Sequence, residues 1–188
     1  MNVPSVFKRD YMQTAIMIAA VILAVLVFWY GLSFVFGTDN PVLAVASGSM
    51  EPVLYKGDLI VVEGIQNLSD IYAAPHDADP PGDIVVYQGR QLIVHRVIDK
   101  KNATDGNITF IFHGDANTPG VNEQVNEDQI VGRYVGFKIP LLGHIALFFD
   151  SFEMKVAFIA LWIVILVIVE LAPSIKKRLN RGSNGERL

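Results

Sequence analysis

The segment "GDIVVYQGRQLIVHRVID", Gly82–Asp99, carries the pattern that decides the fold. Its two halves are rich in Val, Ile and Tyr, which favour strands, and Gly89 lies between them in "YQGRQ", a composition typical of a hairpin loop. Similar short runs lie on both sides, separated by Gly, Pro, Asp and Asn: "PVLAVAS", "DLIVVEG", "NITFIFHG" and "QIVGRYVGFKI". The sequence therefore predicts a mostly β domain with antiparallel strands.

An apolar run before this domain indicates a membrane anchor. Of the 188 residues, 52% are hydrophobic and 18% are charged, and Ala15–Phe36 contains no charge at all. As a helix, this run of about 22 residues would extend about 33 Å, enough to cross a bilayer core. It is longer than the apolar core of a cleavable signal peptide. We therefore expect an uncleaved N-terminal transmembrane helix.

A second apolar run, Val156–Val169, lies near the C-terminus. Its length of about 14 residues is short of the roughly 20 that a full span needs, but Lys155 and Glu170 could turn their charges toward the head groups. A surface or core helix is the alternative. Because the run is apolar on every face, we expect a second transmembrane helix.

Basic residues near the two runs predict the orientation of the chain. Lys8 and Arg9 precede the first run, and "KKRLNR" follows the second, so both termini should face the cytoplasm. The acidic outer segment argues against nucleic acid as a partner. The predicted organisation is a cytoplasmic N-terminus, a transmembrane helix, an extracytoplasmic β domain, a second transmembrane helix and a basic cytoplasmic tail, at residues 1–11, 12–36, 37–151, 152–172 and 173–188.

Composition limits what can stabilise the outer segment. The sequence contains no cysteine, so no disulfide can hold this segment together. Three glycosylation sequons, at Asn67, Asn102 and Asn107, all fall within it and mildly support its position outside the cytoplasm. The sequence has no set of His, Cys and carboxylate residues at metal-ligand spacing, such as H-E-x-x-H, and it predicts neither a metal nor a cofactor.

The stretch "ASGSMEP", Ala46–Pro52, is the first candidate for chemistry. Ser47 and Ser49 lie in a short turn after an apolar strand, and Gly48 would let a peptide approach the backbone closely. Both hydroxyls could simply satisfy backbone groups of the turn. A catalytic serine would need a base, because a free hydroxyl is a poor nucleophile.

Four histidines are available as that base. His76 lies in a proline-rich loop and His144 lies near the second apolar run, so we interpret both as structural or surface residues. His95 lies inside "LIVHRVI", where an unpaired imidazole would be costly. His113 directly precedes a turn and remains a competitor. A lone strand histidine is more often a hydrogen-bonded core residue, so the assignment depends on the combination with the serines.

The combination resembles a known family. "SGSMEP", "YKGDLIVV", "GDIVVY", "IVHRVI" and "GDAN" occur in the order and spacing of type I signal peptidase of the archaeal and endoplasmic-reticulum type. The five motifs cover the chain from about Ala46 to Gly143. The resemblance implies a signal peptidase-like antiparallel β fold and a serine endopeptidase that removes signal peptides from secretory preproteins.

The resemblance also implies a role for individual residues. Ser49 matches the nucleophile, and the Ser47 hydroxyl with the Ser49 backbone N–H matches the oxyanion site. His95 matches the general base, and Asp115 of "GDAN" matches an acidic position that helps hold the histidine or the site geometry. Val45 and Met50 are the candidate substrate contacts, although core packing is the stronger interpretation of Met50.

One position departs from the family pattern. A second aspartate usually follows six residues after that of "GDAN" and is generally assigned to the triad, but Val121 stands there. Asp115 is our prediction for the orienting acid, with Asn122 as the first alternate. A local shift that brings Glu123 into place, or a weaker Ser–His dyad, are further possibilities.

Location and chemistry together predict the partners. A peptidase anchored at the outer face of the cell membrane can reach peptides whose apolar segment is still in the bilayer, and signal peptides have this layout with an Ala-x-Ala cleavage site. The expected partners are signal peptides, the lipid bilayer and the protein-translocation machinery. The alternative is a catalytically degenerate membrane module that binds exported peptides or scaffolds a secretion complex. The retained Ser49 and His95 favour the enzyme.

Overall fold

The N-terminal apolar helix is present. A computed structural model describes residues 5–102 and 107–162 together with residues 164, 165 and 168. Helix α1, Ser5–Phe36, is uninterrupted, and Ala15–Phe36 is the one stretch among the described residues that is long and apolar enough to cross a membrane, with a mean hydropathy of 2.6. None of that stretch is buried against the rest of the protein, as expected for a helix surrounded by lipid.

A single antiparallel sheet follows the helix. Its seven strands are β1 Val42–Ala44, β2 Leu59–Glu63, β3 Ile84–Gln88, β4 Leu92–Asn102, β5 Ile108–His113, β6 Glu123–Asn126 and β7 Ile130–Ile139. They lie in the order β1-β2-β7-β3-β4-β5-β6, and every neighbouring pair is antiparallel. The predicted β fold and all six predicted strands are confirmed. Strand β6 was not predicted, because "EQVN" is short and mostly polar.

Strand β3, in the middle of the sheet, is buried on both faces. One core contains Met50, Leu54, Ile60, Val62 and Val86. The other contains Ile71, Val85, Tyr87, Val97, Phe110, Phe112 and Val125. Two covered faces explain why β3 has a continuous apolar run rather than an alternating one.

The register of the β3–β4 hairpin determines which residues share a face. Ile84 pairs with Arg96, Val85 with His95 and Tyr87 with Ile93, without a shift along the hairpin. Side chains alternate between faces along a strand, so Tyr87 and His95 project from the same face as diagonal neighbours. This face belongs to the core that contains Val85 and Tyr87.

A second unit begins at His144. Helix α2, Gly143–Phe148, is short, and residues 152–162 are also helical. The predicted second transmembrane helix, 152–172, extends outside the described residues, as does the whole predicted tail, 173–188. Both stay predictions.

Candidate active site

The turn that carries the two serines is held from its buried side. The Val45 N–H donates to the Asp58 carbonyl at 2.9 Å, and the Gly57 N–H donates to the Val45 carbonyl at 2.8 Å. Met50 and Leu54 are completely buried. Because the adjacent Met50 is anchored in the core, Ser49 is held at the surface of the turn.

The "YKGD" motif closes the loop that follows Ser49. Gly57 has a positive φ of 89°, a conformation that favours glycine. The Asp58 carboxylate accepts hydrogen bonds from the Tyr55 N–H at 3.0 Å and from Lys138 Nζ at 2.8 Å. Burial alone would raise the pKa of Asp58, but the bonds from Lys138 and Tyr55 outweigh it and lower that pKa. Asp58 is therefore ionised at neutral pH, and its ion pair ties the loop to strand β7.

Ser49 and His95 meet at the surface of the sheet. Ser49 Oγ lies 3.1 Å from His95 Nε2, and Ser47 Oγ lies 3.2 Å from Ser49 Oγ. Ser49 and His95 are 46 residues apart along the chain, and the turn after β1 and strand β4 bring the two predicted serines and the predicted base together. This is the hydrogen-bond arrangement that an activated serine requires.

The other ring nitrogen of His95 faces a tyrosine and a glutamate. His95 Nδ1 lies 3.3 Å from Tyr87 Oη and 3.9 Å from a Glu123 carboxylate oxygen, and Tyr87 Oη donates a hydrogen bond to Glu123. Sequence reasoning missed Tyr87. The signal was available in the hairpin, because a three-residue loop around Gly89 places Tyr87 and His95 diagonally on one face.

Burial controls the protonation of both rings. Desolvation lowers the pKa of His95, with the charges of Glu123 and Asp115 raising it and that of His113 lowering it. Desolvation and the bond to Glu123 raise the pKa of Tyr87. At neutral pH His95 is therefore a neutral acceptor, as a general base must be, and Tyr87 keeps its proton.

The two residues predicted for the acid position contact other partners. Asp115 accepts from Arg96 with both oxygens, from Nε at 2.8 Å and from Nη2 at 2.6 Å, and Arg96 Nη1 donates to the Gly82 carbonyl at 2.7 Å. Asn122 Oδ1 lies 3.1 Å from His113 Nδ1. Among the described contacts, neither residue has a hydrogen bond to His95. The predicted role of Asp115 stays a prediction.

The competing histidines lie away from Ser49. His113 Nδ1 lies 3.1 Å from the Val121 carbonyl, and the His113 ring packs edge-on against His76 with centroids 5.0 Å apart. The Val121 side chain is 55% exposed. Val121 therefore contributes a backbone acceptor to His113, and its side chain faces solvent.

The "GDAN" turn packs against Ser49 and His95. The Ala116 N–H donates to the Ser49 carbonyl at 2.9 Å. A Cβ on Gly114 would lie 2.7 Å from that carbonyl and 2.9 Å from His95 Nε2, closer than such contacts allow. Glycine at this position lets the turn approach both residues.

A cavity of about 280 Å³ opens beside the two serines. Its walls come from residues 43–47 at the sheet edge and residues 91–95 of the β3–β4 hairpin, with Ser49, Asn117 and Glu123 at the reactive end. Val45, a predicted substrate contact, is one of the lining residues. Met50, the other, is not among the lining residues and belongs with Val45 to the same buried cluster, so its predicted contact with substrate stays a prediction. Within the described ranges, no group of three or more His, Cys, Asp or Glu side chains is arranged to hold a metal.

Known proteins with similar sequences share one description. No protein-family model matches the chain. The signal peptidase complex catalytic subunit SEC11C of Rattus norvegicus is 30% identical over 164 residues, covering 81% of this chain and 80% of the rat protein. The catalytic subunit sec11 of Dictyostelium discoideum is 27% identical, covering 87% of this chain and 91% of its own, and SEC11 of Tuber melanosporum is 28% identical, covering 86% and 91%. The chain therefore belongs to the family of endoplasmic-reticulum-type signal peptidase catalytic subunits.

Proposed function

We propose that the chain is a membrane-anchored serine endopeptidase that removes N-terminal signal peptides from exported preproteins. The contact between Ser49 Oγ and Nε2 of the buried His95, at 3.1 Å, is the observation that carries the proposal. It supplies a nucleophile and a base in hydrogen-bond contact at the end of a cavity. Membership of the signal peptidase family supports the choice of substrate.

The proposed reaction follows from the protonation states. Neutral His95 takes the Ser49 proton as Oγ attacks the scissile carbonyl, and His95 then gives that proton to the leaving amine. The Ser49 N–H and the Ser47 hydroxyl stabilise the oxyanion. Water, deprotonated by His95, releases the signal peptide from Ser49. The close approach of Ser47 Oγ to Ser49 Oγ, 3.2 Å, supports its place near the reacting carbonyl.

The cavity suggests how a substrate would bind. Strand β1 is at the end of the strand order and pairs with β2 alone among the described strands, so a substrate can add beside it as a further strand. Because residues 43–47 and 91–95 line one cavity, alternate substrate side chains would enter between two apolar walls. We expect room for alanine-sized groups before the cut, the Ala-x-Ala pattern.

We propose that anchoring in the membrane brings the scissile bond of the preprotein close to the site. Helix α1 is the anchor, both termini are cytoplasmic, and the β domain lies on the outer face, where the translocation machinery presents preproteins. A substrate whose apolar segment is still in the bilayer is then confined near the cavity, which raises its effective concentration. The same anchoring explains why an exported peptide and not a soluble one would be preferred.

Ser49→Ala and His95→Ala should each abolish cleavage of a preprotein. Removing a nucleophile or its base typically costs at least ~10³-fold in kcat. The measurement is cleavage by the purified, detergent-solubilised full chain, with the cut located by mass spectrometry. Ser69→Ala and His144→Ala, exposed residues outside the site, are matched controls that should keep parent activity.

Two results would contradict the proposed function. Activity retained by Ser49→Ala would assign the nucleophile elsewhere. A parent that binds the preprotein without cutting it would favour the degenerate binding module.

Substrate choice should follow the size of the residue before the cut. In a panel of preproteins with Ala, Ser, Val or Leu at that position, we expect kcat/KM to fall by roughly 10-fold or more for Val and Leu, because extra methylenes must fit a small pocket. Ala and Ser should be cleaved at similar rates. Equal processing of Leu and Ala would rule out the proposed pocket.

We propose that Asp115 holds the site geometry through Arg96. The two side chains are 9% and 8% exposed, so Asp115→Asn would leave the Arg96 charge buried without its partner, at a cost of about 3–5 kcal/mol. Thermal unfolding in detergent should show a lower midpoint for Asp115→Asn than for the parent. Asp128 is exposed, and Asp128→Asn should unfold at the parent midpoint. If Asp115→Asn kept parent stability and lost only kcat, Asp115 would act on His95. If it kept activity and Asn122→Ala abolished it, the acid would be Asn122.

A further inference from the structure

We propose that Tyr87 and Glu123 are positioning residues for His95, forming a relay that does the work of the missing second aspartate. This inference rests on the proposed function, since it gives His95 its orientation as the base for Ser49. The relay joins the Glu123 carboxylate, Tyr87 Oη, His95 and Ser49 Oγ. A phenol therefore lies between the acid and the imidazole.

The donor and acceptor roles in this relay follow from chemistry. An ionised carboxylate can only accept, so the single Tyr87 proton is donated to Glu123. Tyr87 Oη then offers its lone pair to His95 Nδ1, 3.3 Å away. Nδ1 must therefore carry the imidazole proton, and Nε2 is left with a lone pair directed at Ser49 Oγ. The relay selects the one neutral tautomer that can act as base toward Ser49.

The sheet explains why Glu123 reaches the site. Glu123 pairs with Phe112 across β5 and β6, and Phe112 pairs with Val97 on β4. The Phe112 ring packs against the Tyr87 ring with centroids 4.6 Å apart. The positions of Tyr87 and Glu123 are thus determined by strand pairing, whereas Val121 precedes β6 and faces solvent.

Because Tyr87 is buried, its hydroxyl needs hydrogen-bond partners, and the relay supplies them. The tyrosine is 2% exposed, and a buried hydroxyl without a partner would be costly. Within the part of the chain that the structure describes, both polar contacts of its hydroxyl belong to the relay. The Glu123 side chain is 43% exposed, so it keeps contact with water while it accepts the hydrogen bond from the phenol.

The charged and titratable groups around His95 come from several elements. Tyr87 on β3 and Glu123 on β6 face Nδ1. His113 on β5 and Asp115 in the following turn act on His95 from further away, and Arg96 beside it is paired with Asp115. Of the two carboxylates, Asp115 is paired with Arg96, whereas Glu123 lies 3.9 Å from His95 Nδ1.

The test compares Tyr87→Phe and Glu123→Gln with the parent in the full-length solubilised enzyme. We expect kcat to fall by roughly 10-fold or more in Tyr87→Phe, less than the loss of at least ~10³-fold expected when the base itself is removed, with KM little changed. In Glu123→Gln the acidic limb of the pH–rate profile should move to lower pH, because the Glu123 charge raises the pKa of His95. Tyr134→Phe and Asp128→Asn are matched controls for the phenol and the acid.

A second readout reports the tautomer of His95 directly. NMR shifts of the imidazole nitrogens should show His95 protonated on Nδ1 in the parent, and a mixture of tautomers in Tyr87→Phe. The inference is overturned if both variants keep the parent kcat, pH profile and tautomer while Ser49→Ala and His95→Ala are inactive. It is also overturned if the parent carries the proton on Nε2. Loss of the proposed function itself would appear separately, as activity in Ser49→Ala.

Discussion

The placement of a desolvated imidazole beside a serine hydroxyl is the interaction on which the rest of the structure depends. His95 is 5% exposed, and burial lowers its pKa, so it remains neutral at neutral pH. A buried neutral histidine must still satisfy both ring nitrogens. Ser49 satisfies one and Tyr87 the other. The same two hydrogen bonds therefore stabilise strand β4 and position the groups that carry the chemistry of the site.

Three aspartates, each directly after a glycine in the sequence, form ion pairs around that interaction. Asp58 pairs with Lys138, Asp83 with Arg133 and Asp115 with Arg96. Each pair joins a loop or turn to a strand of the sheet, and two of the three aspartates also accept a backbone N–H. The Gly-Asp motifs that resemble the family therefore stabilise the loops that present Ser49 and flank His95.

Much of this architecture could be predicted from the sequence, and the reasons for the gaps are physical. Runs of β-branched and aromatic residues indicated six strands, and an uncharged run indicated α1, because both signals are local. Strand β6 carries one buried apolar residue, Val125, in four, too weak a pattern to recognise. The contacts of Asp115 with Arg96 and of Glu123 with Tyr87 depend on the pairing of strands distant in sequence. Spacing within "GDAN" could not show which acid faces the histidine.

The most direct test of this account is to find the residue that carries the acyl group. A preprotein is mixed with the parent enzyme, the reaction is stopped with acid during the first turnover, and the digested enzyme is analysed by mass spectrometry. We predict a peptide containing Ser49 with the signal peptide esterified to it. Cleavage without any enzyme-bound acyl group, or an acyl group on another residue, would contradict it.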